Sequence, residues 1–193
     1  MTDEKECITS AWTRSAGKNT RAQVRPGVMD KKIIIASIFI IFLVQDAIAT
    51  SIAYDQYTVK EVFAGKPATP NLSTHKEASR YRTVLRNQSK RGPNFAGHYT
   101  IVTIGCGTSC AGIAVIDAQT GYVYFPQNLH HVFWAGWWHK PYGPQFKLNS
   151  RLLIVYGQVN GEDEPCGISY YEWKGNDFHL LRFEPRDRGR PPE

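Results

Sequence analysis

Three cysteines in the second half of the chain are the residues best suited to covalent chemistry. Cys106 and Cys110 flank a Gly-Thr-Ser turn, and Cys166 lies further along the chain. In an oxidising compartment Cys106 would pair with Cys110, or one of these two with Cys166, which leaves one thiol over. The alternative is a nucleophilic or redox thiol at Cys106, with His98 as its base and Asp117 orienting the imidazole.

We favour the structural disulfide over the reactive thiol. A nucleophilic cysteine needs its pKa lowered by a helix N-terminus or an imidazolium, whereas Cys106 is predicted to lie in a β-turn. The spacing from Cys106 to Cys110 also differs from the Cys-x-x-Cys spacing of redox motifs. We therefore assign no catalytic residue.

Histidines and carboxylates supply two further candidate sites. His130 and His131 are adjacent, so on a strand they would point to opposite faces, and their spacing to His139 matches no closed zinc motif. We predict no metal and no cofactor. Glu162 begins a short acidic run, which lacks the alternating ligands and glycine turn of a calcium loop. A glycosidase pair of Glu162 and Glu172 remains an alternative, because such a pair is defined by its separation in space.

The segment least explained by folding alone is residues 133–142, which we call the aromatic loop. Three tryptophans and two further aromatic residues occur there together with Gly and Pro. Aromatic faces on loops stack against sugars or peptides and anchor protein interfaces, although such rings also serve as ordinary core. We expect Trp137 or Trp138 to be partly exposed. The predicted binding residues are Trp134, Trp137, Trp138, His139, Lys140 and Tyr142.

An apolar run near the N-terminus determines the predicted compartment. Residues 33–44 carry no charge and follow Lys31 and Lys32. A helix needs roughly 20 apolar residues to span a bilayer, so this run fits a signal peptide better than an anchor or a buried strand. Ala47-Ile48-Ala49 has the small-x-small pattern of a cleavage site. We predict export to the periplasm or the medium, cleavage after Ala49 and no stable membrane span.

The N-terminal region therefore divides before any fold is considered. Residues 1–28 are an over-extended start or a long n-region, because Met29 resembles the natural start of the signal peptide at 29–49. A single β-rich domain is predicted over 50–183, followed by a disordered tail over 184–193 that is rich in Pro and Arg.

Composition and charge exclude several classes of protein. The chain has 193 residues, of which 42% are hydrophobic and 21% charged, which excludes a disordered chain, a collagen and a coiled coil. The net charge of +6 falls to +4 in residues 50–193, where 16 basic residues face 12 acidic ones. No nucleic-acid partner is predicted, because no DNA- or RNA-binding motif is present. A basic stripe on the predicted helix is a solvated face or a contact for an anionic partner.

The elements that must position these residues are mostly strands. Thr74 and Glu77 fit a capping box, and apolar residues follow at helical spacing until Gly92 and Pro93, which predicts one docked helix near 75–90. The fold class is mainly β (α+β), an antiparallel meander sheet of about seven strands. The predicted strands are Tyr57–Ala64, His98–Ile104, Gly112–Asp117, Tyr122–Phe125, Arg151–Tyr156, Ile168–Trp173 and Phe178–Phe183.

Two segments carry a resemblance to known proteins. One is the hairpin with the pattern G-C-G-x-x-C at 105–110, and the other is C-G-x-x-Y-Y-x-W at 166–173. Together they resemble a group of small exported bacterial proteins to which no activity is assigned. The resemblance covers most of 94–183 and implies export and a single β-rich domain, but it carries no catalytic residue.

The sequence thus predicts an exported small binding module. Its partner would be an envelope protein or a cell-wall glycan recognised through the aromatic loop, as in an inhibitor or an immunity-type factor. The alternatives are an envelope enzyme that uses a thiol or a carboxylate, and a structural envelope protein without a small ligand.

Overall fold

The computed structural model describes residues 51–189. The predicted n-region, signal peptide and cleavage site after Ala49 lie outside the described residues, as do residues 190–193 of the predicted tail. Among residues 51–189, no helix is both long enough and apolar enough to cross a membrane.

Eight antiparallel strands form one sheet, which confirms the prediction of a mainly β fold with one helix. The hydrogen-bonded path runs β1-β2-β4-β6-β7-β8, with β3 paired beside β2 and β5 beside β6. The strands are β1 (Tyr99–Gly107), β2 (Cys110–Asp117), β3 (Val123–Tyr124), β4 (His131–Phe133), β5 (Gly143–Phe146), β6 (Leu152–Val159), β7 (Gly167–Trp173) and β8 (Phe178–Pro185).

The strand prediction was wrong in two places. Two short strands, β4 and β5, lie within residues 126–146, where none was expected, and they flank the aromatic loop. The predicted first strand, Tyr57–Ala64, is instead a 3₁₀ turn (Tyr54–Tyr57) followed by an extended segment. That segment has a strand-like composition, but its backbone forms only one β-bridge, from Thr58 to Ser150, and isolated hydrogen bonds to loop residues. No continuous ladder of hydrogen bonds therefore forms.

The helix is shorter than its sequence pattern suggests. It comprises Arg82–Ser89, which we call α1, and it follows a series of turns from residue 72 to residue 81. The Thr74 hydroxyl does not cap it. That hydroxyl donates to the Asn71 carbonyl at 2.8 Å and accepts the Val123 N–H at 3.0 Å. Thr74 therefore ties the turn segment to β3, and the predicted capping box does not begin a helix.

The sheet has an apolar core on each side. One core is built from both halves of the sheet, because Ile113 and Val115 of β2 pack with Leu153 of β6 and Trp173 of β7. The other lies under α1, where Leu85 packs on Val102, Ala114 and Ile116. The helix therefore covers the outer face of β1 and β2, while the inner faces of the two sheet halves cover each other.

The chain remains ordered past the predicted end of the domain. Residue 184 was expected to begin a disordered tail, but Glu184 and Pro185 complete β8. The Arg186 N–H then donates to the Cys166 carbonyl at 3.1 Å, and the Arg188 carbonyl accepts the Trp138 N–H at 2.8 Å. Backbone pairing, which side-chain composition does not reveal, holds this basic segment against the aromatic loop.

Candidate functional site

The aromatic loop is built around one buried tryptophan. Trp137 is only 6% exposed, and its indole N–H donates to the Pro141 carbonyl at 3.0 Å. Its ring lies 5.1 Å from the His139 ring and 6.3 Å from the Tyr156 ring of β6. A buried indole whose N–H is satisfied within its own loop fixes the shape of that loop.

Two other rings of the loop are open to solvent. Trp138 is 49% exposed and Tyr142 is 53% exposed, with the exposed side chains of His139 and Lys140 between them in the sequence. Trp134 is half-buried, and its ring lies nearly parallel to that of Tyr142, with 6.4 Å between the centroids. The loop thus presents Trp138 and Tyr142 to solvent, whereas Trp134 also packs against the core.

Contacts at several points hold the loop in place. The Trp134 N–H donates to the Ser109 carbonyl of the β1–β2 turn at 2.9 Å, and Trp138 is bonded to Arg188 as described above. His139 Nε2 lies 3.4 Å from a carboxylate oxygen of Asp187. A loop held in this way loses little conformational freedom when it binds a partner.

The two cysteines of the hairpin are joined, which is one of the two pairings that the sequence left open. The Cys106–Cys110 disulfide closes the turn between β1 and β2, while Cys166 is buried and is not part of a disulfide. Cys106 in this disulfide has no thiol that could act as a nucleophile. His98, its proposed base, precedes β1 and lies roughly 26 Å away at about 3.3 Å per residue. Asp117 accepts bonds from Gln119 and Thr120 in a turn.

The proposed carboxylate pair is also not assembled. Glu172 pairs with Leu152 at the start of β6, whereas Glu162 follows the end of that strand. Seven residues of strand separate the two positions by roughly 23 Å, which is well beyond the spacing of a glycosidase pair. Within residues 51–189 no three His, Cys, Asp or Glu side chains are placed to share a metal ion.

Glu172 lies at one side of a wide cleft of about 1030 Å³, which we call the Glu172 cleft. The Glu172 side chain is only 10% exposed, and its carboxylate forms ion pairs with Arg151 Nη2 at 3.2 Å and with Lys174 Nζ at 2.5 Å. Burial alone would raise the pKa of Glu172, but the hydrogen bonds and charges of Lys174 and Arg151 lower it below its ordinary value. Arg151 also donates to the Thr58 carbonyl, so the cluster fastens the N-terminal segment.

A second, smaller cavity of about 550 Å³ lies on the side of the sheet that carries α1, and we call it the histidine cavity. The turn segment before α1, the Cys106 end of the hairpin and the residues leading into β4 form its walls. Its imidazoles are those of His75, His130 and His131. Burial, and secondarily the charge of His130, lower the pKa of His131 below its ordinary value.

Sequence reasoning did not find either cavity. The side chains of the histidine cavity come from positions 75–81, 104–113 and 125–131, so no local spacing connects them. His130 and His131 were considered only together with His139, which instead belongs to the aromatic loop. The basic stripe of the helix is exposed to solvent, in agreement with a solvated face; its members are Arg80, Arg82, Arg86, Lys90 and Arg91.

No protein-family model, curated protein or solved structure matches this chain. The function is therefore argued from the placement of its side chains. The aromatic loop is the surface on which most of the sequence-predicted binding residues lie together.

Proposed function

We propose that this chain is an exported binding module that recognises an envelope protein or a cell-wall glycan through the aromatic loop. The observation that carries the proposal is the pair of exposed rings, Trp138 and Tyr142, on a loop held by Trp137 and the C-terminal segment. Burying an aromatic ring in a partner removes a large apolar area from water, which is why tryptophan and tyrosine dominate binding interfaces.

Export is the second part of the proposal, and two features support it. The charged start, apolar run and Ala-Ile-Ala sequence ending at Ala49 are typical of a signal peptide. The Cys106–Cys110 disulfide is compatible with an oxidising compartment. An exported protein meets cell-wall glycan and envelope proteins first, so these are the partners we propose.

The geometry favours binding over the two catalytic alternatives that the sequence raised. The thiol alternative lacks a thiol at Cys106, and the carboxylate alternative has its two members at opposite ends of β6. The aromatic loop needs no such assembly, because its exposed rings are neighbours on one loop.

The test compares the full chain with a double variant in which Trp138→Ala and Tyr142→Ala remove both exposed rings. Leu180→Ala is the matched control, because Leu180 is a large apolar residue of similar exposure, 55%, on β8. Each protein is exported from a bacterial host, purified and incubated with insoluble cell-wall sacculi and, separately, with cross-linked envelope extract. We expect sacculi or one envelope protein to be retained by the wild-type and Leu180→Ala proteins and lost by the double variant.

The choice of positions matters for the interpretation. Trp137→Ala would empty a buried site and destabilise the fold by about 3 kcal/mol or more, so loss of binding in that variant would not locate the surface. Replacing the two exposed rings should leave the far-ultraviolet circular dichroism and the urea midpoint essentially unchanged. Equal retention by the double variant and the wild type would disprove recognition through this loop, and so would no retention by any of the proteins.

A further inference from the structure

The histidine cavity has the size and lining of a small-molecule site. Its volume of about 550 Å³ falls within the roughly 300–1,000 Å³ that ligand pockets occupy. It is separate from the aromatic loop, and the proposed binding module does not use it. The Cys106–Cys110 disulfide closes the hairpin that forms one wall, which keeps that wall in place.

Flat rings form the apolar part of the lining. The Phe125 ring stacks on the His75 ring, with 4.7 Å between centroids and 30° between planes. The Tyr81 ring lies 6.1 Å from Phe125 on another side. Ile104 of the hairpin completes this surface. Such a lining suits a planar ring, because stacked rings gain more than their buried area alone provides.

Polar groups that have no hydrogen-bond partner among residues 51–189 complete the lining. Neither ring nitrogen of His131 makes a hydrogen bond with any other residue in the range 51–189, and the ammonium group of Lys76 makes none there either. His75 Nδ1 accepts the Glu77 N–H at 3.2 Å, so the second nitrogen of this neutral ring, Nε2, carries the proton and is a donor. These groups can donate to a ligand without breaking a bond within the protein.

The charge of the lining is positive. Lys76 and Arg80 outnumber Glu77, which is the single carboxylate of the lining and lies 4.0 Å from Arg80. His130 adds a third imidazole from the opposite wall, where its Nδ1 faces the Gln127 carbonyl at 3.3 Å. The excess of cationic side chains therefore favours an anion, and a protonated imidazole would add to that preference.

We propose that the histidine cavity binds a small organic anion that consists of a planar ring with a carboxylate or phosphate group. The ring stacks on Phe125 between His75 and Tyr81. The anionic group accepts hydrogen bonds from the His131 imidazole and from Lys76 or Arg80 at the mouth of the cavity. This site is a second binding function, independent of recognition through the aromatic loop.

The proposal implies a definite pH dependence. Burial and the neighbouring His130 disfavour the charged form of His131 in the empty cavity. A bound anion favours the charged form, so binding takes up a proton and strengthens as the pH falls below about 6.5. If binding raises the pKa of one imidazole by about one unit, affinity rises about tenfold between the two pH limits.

Benzoate is the first probe, because its charge stays constant from about pH 5.5 to about pH 8, whereas imidazoles titrate within this range. Its affinity for the full chain is measured by calorimetry at both pH values, while the histidine proton resonances are followed by NMR. Phenyl phosphate at the higher pH distinguishes a phosphate from a carboxylate, and inorganic phosphate alone tests whether the ring is needed. We expect binding of at least one ring-bearing probe, severalfold tighter benzoate binding at the lower pH, and a shifted His131 resonance.

His131→Gln removes the proposed proton acceptor, and His179→Gln is the matched control because His179 is an exposed residue of β8 outside the cavity lining and the aromatic loop. We expect the first variant to lose most of the pH dependence and the second to behave as the wild type. Arg80→Gln, at a largely exposed side chain, provides a second test should His131→Gln fail to fold, and it should weaken binding severalfold. The proposal is overturned if neither ring-bearing probe binds, if inorganic phosphate binds as well as phenyl phosphate, or if His131→Gln binds as tightly as the wild type with the same pH dependence.

Discussion

The Glu172 cleft and the histidine cavity are both concave and charged, yet they differ in whether their charges are already satisfied. In the Glu172 cleft, one buried carboxylate forms ion pairs with Arg151 and Lys174. Arg151 also donates a hydrogen bond to the Thr58 carbonyl. In the histidine cavity, the half-buried His131 has no such partner within residues 51–189. The larger cleft is therefore explained by the fold, while the smaller cavity contains groups that folding does not need.

This difference separates charges that the fold explains from polar groups that it does not explain. A buried charge costs free energy unless it is paired, so a satisfied charge cluster can be retained for structure alone. A half-buried polar group without an internal partner gives up some hydration for no internal bond, and a ligand is one reason for it to be there. The two regions predict opposite responses to mutation.

The largest expected effect on stability comes from removing the charge of Glu172. Glu172→Gln leaves Arg151 and Lys174 facing a neutral amide, and we expect the free energy of unfolding in urea to fall by about 2–3 kcal/mol. This loss is at or below the low end of the range observed when one partner of a fully buried ion pair is removed. It is small because both cations are about half exposed and can regain water. Glu162→Gln, at an exposed carboxylate, is the control and should change the free energy of unfolding by less than about 0.5 kcal/mol. Equal effects of the two variants would contradict the distinction between satisfied and available charges.

The next effect concerns the wall of the histidine cavity. Replacing Cys106 and Cys110 together by Ser opens a loop with a sequence separation of four, which should cost about 2 kcal/mol by the loop-entropy estimate. We expect a lower urea midpoint for this variant and, because the wall loosens, weaker binding of the ring-bearing anion. A lower midpoint with unchanged anion affinity would show that the disulfide stabilises the hairpin without shaping the cavity.

Acidification should have opposite effects in the two regions. It weakens the stabilising ion pairs of Glu172, whereas it strengthens anion binding in the histidine cavity. The pKa of Glu172 is lower in the folded state than its ordinary value of 4.5, so its contribution to stability is complete above that value and is lost as the pH falls through the lowered pKa. We therefore expect the urea midpoint of the wild type to drop more steeply below about pH 4.5 than that of Glu172→Gln. The two curves would run parallel if the carboxylate were not held by its cations.

The smallest expected effect is that of His131→Gln on stability. The imidazole is half-buried and makes no hydrogen bond within the described residues, so its replacement should change the free energy of unfolding by less than about 0.5 kcal/mol. Thermal or urea unfolding at neutral pH measures this directly. A loss comparable to that of Glu172→Gln would mean that His131 is a structural residue, and the comparison between the two regions would fail.

Much of the fold could be predicted because its signals are local. The runs at His98–Ile104, Gly112–Asp117 and Ile168–Trp173 are strands, and the turn between Cys106 and Cys110 is closed by the disulfide that its spacing allowed. The errors share a cause: Tyr57–Ala64 has the composition of a strand but no partner to form a ladder. Thr74 has the spacing of a helix cap, yet its hydroxyl bonds to the backbone of β3, 49 residues away.

The sequence alone determined that this is a β-rich chain with a cysteine hairpin and an aromatic loop, because alternation, turn residues and cysteine spacing act over a few residues. Only the tertiary structure decided that Trp137 is buried while Trp138 is exposed, since this depends on Tyr156 and the Arg188 segment. It also decided that His75 and His131 share one cavity, although 56 positions separate them. Burial and the meeting of distant side chains arise from strand pairing and packing, which couple residues that no local pattern connects.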